Sequence, residues 1–173
     1  MTAEKIIATA KKYLGVSENP PGSNNVIFNT AYYGRPINDP AYAWCVVFVW
    51  YVFREAGASA LFYDGGKTAS CTAVYDWARK AGLLVPVAQA QPGDLVIFDW
   101  QHNNDPDHIG ICTSVQGSTI YTIEGNVGDA VKACERRPGD VCGVVRPKYS
   151  AAPCDGYTDC PIYQAIKKLF EGS

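Results

Sequence analysis

The sequence predicts an α+β fold, in which N-terminal helices pack on a small antiparallel β-sheet. Two observations support this prediction. The apolar run from Ala43 to Gly57 is too long for an ordinary strand and ends in a glycine, as a buried helix commonly does. The second half of the chain offers short runs rich in β-branched and aromatic residues, separated by turn residues, a pattern typical of antiparallel strands.

Helical periodicity and stop signals predict three helices. They are Thr2–Gly15, a helix that starts between Pro40 and Cys45 and ends at Gly57, and about Thr68–Ala81 with a stop at Gly82. Proline restricts the start of the second helix, because it is tolerated in a lead-in or first turn but not in a helix interior. Between the first two helices, Glu18–Asp39 is predicted to be a long loop with aromatic side chains. These rings would either line a substrate groove near Cys45 or cap the core.

Four strands are predicted, at about Asp94–Phe98, His108–Val115, Ser118–Glu124 and Val141–Arg146. Side chains alternate between the two faces of a strand. In the hairpin between the second and third strands, His108 and Glu124 can therefore meet only if even-numbered residues pair with even-numbered residues. A three-residue loop, Val115-Gln116-Gly117, would pair Ser114 with Ser118. We therefore expect His108 to lie directly opposite Glu124.

Cys45 is the candidate nucleophile, because the predicted helix places it in or near the first turn. Unpaired N–H groups and the positive end of the helix dipole stabilise a thiolate there. Without a histidine partner, Cys45 would be read as a small apolar core residue, as buried cysteines usually are. His108 can be that partner, and Glu124 and Asn126 follow it in the chain. Together they supply the attacker, base and orienting group that thiol acyl transfer needs.

In this order the motifs resemble those of the CHAP domains, which are cysteine- and histidine-dependent amidohydrolases and peptidases. The matching pieces are Trp44-Cys45, Pro92-Gly93-Asp94-Leu95-Val96-Ile97-Phe98, His108-Ile109-Gly110-Ile111 and Thr122-Ile123-Glu124-Gly125-Asn126. The resemblance runs from about Leu14 to Tyr149. It implies a papain-like fold and cleavage of an amide bond in bacterial peptidoglycan through a cysteine acyl-enzyme. The enzyme would be an N-acetylmuramoyl-L-alanine amidase or a peptide or cross-bridge endopeptidase, as many phage lysins are.

Carried over by position, the resemblance implies Cys45 as nucleophile, His108 as base, Glu124 as orienting carboxylate and Asn126 as a further polar member. The aromatic residues before Cys45 and the polar loop before His108 are expected to border the groove. The predicted substrate contacts are therefore Trp44, Tyr42, Tyr33 and Asp107. No cofactor or metal ion is predicted, because neither the loop between His102 and His108 nor the asparagine-rich segment before Cys45 shows a recognised ligand spacing.

The length of 173 residues predicts a single catalytic domain, residues 1–149, followed by a linker and a short amphipathic helix over 150–173. The net charge of −2 argues against general attraction to nucleic acid or to anionic membranes. The expected partner is peptidoglycan, bound through specific contacts or with a separate wall-binding module. Met1–Gly15 lacks the features of a secretory signal. The chain is thus expected to be made in the bacterial cytoplasm and to reach the wall as a phage lysin does, or by secretion.

Seven cysteines are present, and a cytosolic chain would keep them reduced. Free thiols are therefore expected, with Cys154 and Cys160 the likeliest to pair. Two other functions remain open at this level. One is a catalytically silent domain that binds the wall or a partner, and the other is a thiol acyltransferase or deamidase acting on protein. The intact set of Cys45, His108, Glu124 and Asn126 favours an enzyme over a silent domain.

Overall fold

The computed structural model describes residues 1–150, which form four α-helices packed against one β-sheet. The helices are α1 (Ala3–Lys11), α2 (Ile27–Tyr33), α3 (Cys45–Glu55) and α4 (Cys71–Lys80), with short 3-10 turns at Ser59–Leu61, Tyr63–Gly65, Val87–Gln89 and Pro138–Asp140. The strands are β1 (Leu84–Val85), β2 (Leu95–Phe98), β3 (His108–Gln116), β4 (Thr119–Glu124), β5 (Lys132–Arg136) and β6 (Val141–Val145). The predicted C-terminal helix and the predicted Cys154–Cys160 pair lie outside the described residues.

The six strands form one antiparallel sheet in the order β1-β6-β2-β3-β4-β5. The α+β prediction is confirmed, and β2, β3, β4 and β6 correspond to the four predicted strands. β1 and β5 were not predicted, because β1 has two residues and β5 has the sequence Lys-Ala-Cys-Glu-Arg, without an apolar run. No helix within residues 1–150 combines the length and apolar composition needed to cross a bilayer.

α3 is the central element of the core, as its sequence predicts. Eight of its eleven residues are buried, and they pack against the face of the sheet that carries Ile97, Ile109, Ile111 and Ile123. Each fully buried aliphatic or phenyl side chain contributes roughly 1.5–3 kcal/mol through the hydrophobic effect. Gly57 has a φ of 72°, a left-handed conformation that ends the helix where the sequence places its stop. This packing fixes the start of α3 above one end of the central strands.

The β3–β4 hairpin departs from the predicted register. The turn has two residues, because Gln116 pairs with Thr119. The register then shifts at Thr113, so that Cys112 pairs with Thr122. The predicted three-residue loop and the direct pairing of His108 with Glu124 are therefore wrong.

The two-residue turn pairs even-numbered residues of β3 with odd-numbered residues of β4, and the irregularity at Thr113 reverses this. Beyond it, even-numbered residues of β3 again pair with even-numbered residues of β4. His108 and Glu124 consequently lie on the same face of the sheet. Continuing this register places Gly110 opposite Glu124, where a Cβ atom would lie only 2.5 Å from Glu124 Cγ. The absence of a side chain at Gly110 thus leaves room for the Glu124 carboxylate to reach diagonally toward His108.

The segment Glu18–Asp39 is not one long loop, because it contains the seven-residue helix α2. α2 ends at Gly34, which has a φ of 72°. Of the two roles considered for its aromatic residues, only the capping of the core is seen directly, and the groove role stays a prediction. Phe28 is fully buried against α3 and belongs to the core, whereas Tyr33 is only half-buried.

Candidate active site

Cys45 is the first residue of α3, so its thiol lies where the first backbone N–H groups of the helix have no helical partner. Trp44, the residue before it, fixes this helix start. Its indole N–H donates to Glu18 at 2.7 Å, and its ring stacks on Phe28 at 5.4 Å between centroids. Trp44 is 0% exposed, which disfavours contact with a substrate, so that contact stays a prediction. What the structure shows for Trp44 is that its side chain anchors the residue before Cys45 in the core.

His108 is the first residue of β3, and its imidazole is held by Glu124. Nε2 of His108 lies 3.0 Å from Oε2 of Glu124, and both side chains are buried. Since Glu124 occupies Nε2, Nδ1 is the ring nitrogen left for Cys45. The structure therefore brings together three of the four predicted catalytic residues as a thiol, an imidazole and a carboxylate in series.

Glu124 is fully buried, yet it is held in its ionised form. Burial alone raises the pKa of its carboxyl, but hydrogen bonds from Arg136, His108 and Thr122 lower the pKa to about 2. Nε of Arg136 donates to Oε1 at 2.9 Å, and Nη2 donates to Oε2 in a forked arrangement. The hydroxyl of Thr122 also donates to Oε1. A buried carboxylate needs such partners to remain charged.

Arg136 is the functional residue that the sequence reasoning missed. It comes from β5, the edge strand that was not predicted, and its guanidinium carbon lies 5.3 Å from the ring centroids of both Phe98 and Trp100. Its charge is thus held between a carboxylate and two aromatic rings, a setting suited to the planar arginine side chain. The sequence gives little indication of this role for Arg136, since an arginine in a polar segment is ordinarily exposed to solvent.

The thiol and imidazole shift each other's protonation. The hydrogen bond from Cys71 lowers the pKa of the Cys45 thiol, burial opposes this, and His108 and the backbone N–H of Val46 lower it further, to well below its ordinary value. Burial alone lowers the pKa of His108, but the Cys45 thiolate and Glu124 raise it to about 9. The favoured state is therefore a thiolate beside an imidazolium.

The remaining predicted substrate contacts make well-defined contacts of their own. Asp107 accepts the backbone N–H of Trp100 at 2.7 Å and so shapes the loop that carries this ring. Trp100 is 42% exposed and stacks on His108 at 5.2 Å between centroids. Tyr33 and Tyr42, both half-buried, meet edge-to-face at 4.9 Å. Trp100 therefore presents an aromatic surface beside His108, whereas the sequence predicts such a surface only from the aromatic residues before Cys45.

Asn126, the fourth predicted catalytic residue, lies just beyond β4 with a left-handed φ of 63°. In the described part of the chain, no hydrogen bond joins its side chain to His108 or Glu124, so its role stays a prediction. Residues 1–150 also contain no group of three or more His, Cys, Asp or Glu side chains arranged to hold a metal ion. What the arrangement can do chemically is attack a carbonyl with an ionised thiol.

The chain is similar to proteins of known family and known structure. The family model of the CHAP domain matches residues 37–126. An NLP/P60-family lipoprotein-like protein from Staphylococcus aureus is 18% identical, with a TM-score of 0.49, over 86% of this chain and 42% of its own. Ly7917 is 13% identical with a TM-score of 0.49, over 85% of this chain and 63% of its own.

A second structure of Ly7917, solved with the hydrolysing product of MDP, is 15% identical with a TM-score of 0.50, over 84% of this chain and 63% of its own. The chain thus spans between 42% and 63% of the length of these solved proteins. No curated protein matches the chain significantly.

Proposed function

The chain belongs to the CHAP-domain family, and from this membership and its thiol site we propose that it is a peptidoglycan hydrolase that acts through a cysteine acyl-enzyme. The observation that carries the proposal is the placement of Cys45 at the start of α3, beside a histidine whose Nε2 lies 3.0 Å from a buried carboxylate. We assign Cys45 as nucleophile, His108 as acid and base, and Glu124 as the group that orients His108.

The reaction follows from the charges of the site. The Cys45 thiolate attacks the carbonyl carbon of a wall amide, and the unpaired N–H groups at the start of α3 stabilise the oxyanion. The His108 imidazolium then gives its proton to the leaving amine, which leaves a thioester on Cys45. A water molecule, deprotonated by the neutral imidazole, hydrolyses the thioester. Glu124 keeps the imidazole in one orientation and stabilises its charged form throughout.

The proposed substrate surface consists of aromatic rings. Trp100 stacks on His108, and Tyr33, the last residue of α2, meets Tyr42 edge-to-face. We propose residues 1–149 as the catalytic domain and peptidoglycan as its partner, reached with the help of a wall-binding module. The site of action would be the cell wall, after synthesis in the cytoplasm and release as in phage lysins or by secretion.

Two cleavage positions fit this chemistry, the amide between muramic acid and the first stem alanine, and an amide within a stem or cross-bridge. A zymogram on purified cell walls tests for hydrolysis, and mass spectrometry of the soluble fragments identifies the bond. A new N-terminal alanine means amidase, and a new stem or bridge terminus means endopeptidase. Retention on the wall without any released fragment would contradict the proposed function and support a binding domain.

We expect the hydrolysis rate to follow a bell-shaped pH profile with a basic limb near pH 9. The folded-state pKa of His108 is raised to about 9, so the imidazolium is present below that value and is lost as the pH rises through it. The acidic limb marks protonation of the Cys45 thiolate and lies well below the ordinary thiol pKa. Initial rates on soluble wall fragments between pH 4 and 11 measure both limbs. A rate that rises continuously to about pH 9, as a free thiol would give, contradicts this assignment.

A further inference from the structure

A second thiol, Cys71, lies in contact with the proposed nucleophile. Cys71 is the first residue of α4, and its Sγ is 3.9 Å from Sγ of Cys45 although 26 positions separate them in the chain. Both side chains are nearly covered, at 6% exposure for Cys45 and 7% for Cys71. The hydroxyl of Ser70 caps α4 by accepting the N–H of Ala73 at 3.2 Å, which fixes where Cys71 lies.

The two thiols have opposite protonation preferences, although they are chemically identical. The hydrogen bond between them raises the pKa of Cys71, as do burial and the charge of Cys45, whereas the same hydrogen bond lowers the pKa of Cys45. Cys71 therefore keeps its proton and points it at a thiolate. The hydrolytic mechanism assigns no step to Cys71, so this contact has no role in the proposed catalysis beyond stabilising the thiolate.

A thiolate with a neighbouring thiol is the arrangement found at peroxide-sensitive cysteines, where the second cysteine resolves the oxidised first one. We propose that Cys71 is a resolving cysteine, which forms a reversible disulfide with Cys45 after hydrogen peroxide oxidises Cys45. The proposal rests on Cys45 being the nucleophile of the proposed function. Peroxide is small enough to reach a sulfur atom that must also reach a substrate carbonyl.

The chemistry balances in two steps. First, the Cys45 thiolate attacks one peroxide oxygen and the O–O bond breaks. Cys45 becomes a sulfenic acid, and the departing hydroxide takes a proton from the His108 imidazolium to form water. Second, the Cys71 sulfur attacks the Cys45 sulfur and the S–O bond breaks. The hydroxide leaves with the Cys71 proton as a second water, so two sulfur atoms are oxidised and one peroxide is reduced.

The disulfide would switch the enzyme off, because a sulfur bound in a disulfide is no longer the thiolate that attacks a carbonyl. It would also protect Cys45, since a sulfenic acid that is not resolved can be oxidised further to a sulfinic acid that thiols do not reduce. The sulfur atoms need to approach from 3.9 Å to a bond length of about 2.05 Å. Side-chain rotation at the two helix starts is the movement required.

The experiment treats the full chain with hydrogen peroxide, removes the peroxide with catalase, alkylates the remaining thiols and maps the cysteines by mass spectrometry. In the wild type we expect a Cys45–Cys71 cross-linked peptide that has lost two hydrogen atoms. Wall hydrolysis should fall at least about tenfold and return to within about twofold of its starting value after dithiothreitol.

Cys71→Ser keeps a hydrogen-bond donor beside Cys45 but cannot form the disulfide, so it is the informative variant. Each variant is compared with its own untreated activity. After peroxide, Cys71→Ser should stay inactive in dithiothreitol and carry two extra oxygen atoms on Cys45. Cys112→Ser, which removes a thiol packed with Val96 and Phe98 in a separate cluster, should behave as the wild type does.

Two results would overturn the proposal. One is a Cys71→Ser variant that dithiothreitol reactivates as fully as it does the wild type. The other is oxidised wild type in which Cys45 is cross-linked to a different cysteine or to none. Because the cross-link is detected by mass, it decides this proposal even if the untreated protein hydrolyses no cell wall, a result that would instead contradict the proposed function.

Discussion

Cys45→Ser is expected to lower kcat/KM for wall hydrolysis by at least about three orders of magnitude while the protein remains folded. A serine hydroxyl beside His108 stays protonated at neutral pH, so the attacking anion is almost absent. The fold should tolerate the change, because oxygen occupies less space than sulfur and the hydroxyl can hydrogen-bond to Cys71 and His108. The measurements are initial rates on purified walls and urea unfolding followed by circular dichroism.

Cys112→Ser is the matched control for this substitution. Cys112 is also a buried cysteine, but it packs with Val96, Phe98 and Ile120 in a cluster separate from the core around α3. Burial raises the pKa of its thiol to about 11, so it is not a thiolate at neutral pH. We expect Cys112→Ser to retain most of the activity. If this variant is inactive and Cys45→Ser hydrolyses walls normally, Cys45 is not the nucleophile.

Arg136→Met is expected to lower the free energy of unfolding by up to about 3–5 kcal/mol at neutral pH, because it removes the forked guanidinium from the buried Glu124 carboxylate and leaves it only His108 and Thr122 as partners. Activity should also fall, mainly in kcat, since His108 loses a fixed orienting partner when Glu124 becomes protonated or moves. Methionine keeps much of the side-chain volume, so lost packing against Phe98 contributes less. Arg136→Lys should recover part of both losses, because it restores the charge but not the fork.

The stability loss in Arg136→Met should depend on pH with a defined sign. The pKa of Glu124 is about 2 in the folded protein and about 4.5 as an ordinary carboxyl, so its contribution is fully present above the latter value. It declines as the pH falls toward 2. The difference between wild type and Arg136→Met should therefore be large at pH 7 and shrink toward pH 2. Urea unfolding at several pH values measures this.

Arg137→Met provides the control at the adjacent position. Arg137 is exposed, and the same substitution there should change the unfolding free energy by no more than about 0.5 kcal/mol. In Arg136→Met, a protonated Glu124 no longer supports the His108 imidazolium that lowers the pKa of the Cys45 thiol, so the acidic limb of the activity profile should move to higher pH. It should stay in place in Arg137→Met. Equal and small effects of the two substitutions would show that Arg136 does not hold Glu124 in its ionised form.

The parts of the fold that the sequence predicts well are those with a strong local pattern. α3 combines a long apolar run with Gly57 as its stop, and the central strands are rich in β-branched residues. α2 and β5 lack such signals. α2 has seven residues, few of them strong helix formers, and β5 is an edge strand whose charged and small residues resemble a loop. Tertiary contacts, rather than local preference, determine both.

In the site, the order of chemical groups was predictable but their supporting contacts were not. Cys45, His108 and Glu124 follow from residue type and chain order. The register that joins the last two depends on the irregularity at Thr113, which no local residue pattern indicates. The substrate contact predicted for Trp44 rests only on its being an aromatic residue beside the candidate nucleophile. Its indole is buried and donates a hydrogen bond to Glu18, which lies 26 positions earlier in the chain.

The most direct test of the proposed mechanism is to alkylate the wild-type protein with iodoacetamide near pH 6 and measure residual wall hydrolysis against the fraction of Cys45 labelled. An ordinary thiol reacts slowly at that pH, whereas a thiolate stabilised by His108 and the start of α3 reacts readily. We expect Cys45 to be labelled before the other cysteines, with activity falling in proportion to its labelling. Full labelling of Cys45 with wall hydrolysis unchanged would contradict the assignment of Cys45 as nucleophile.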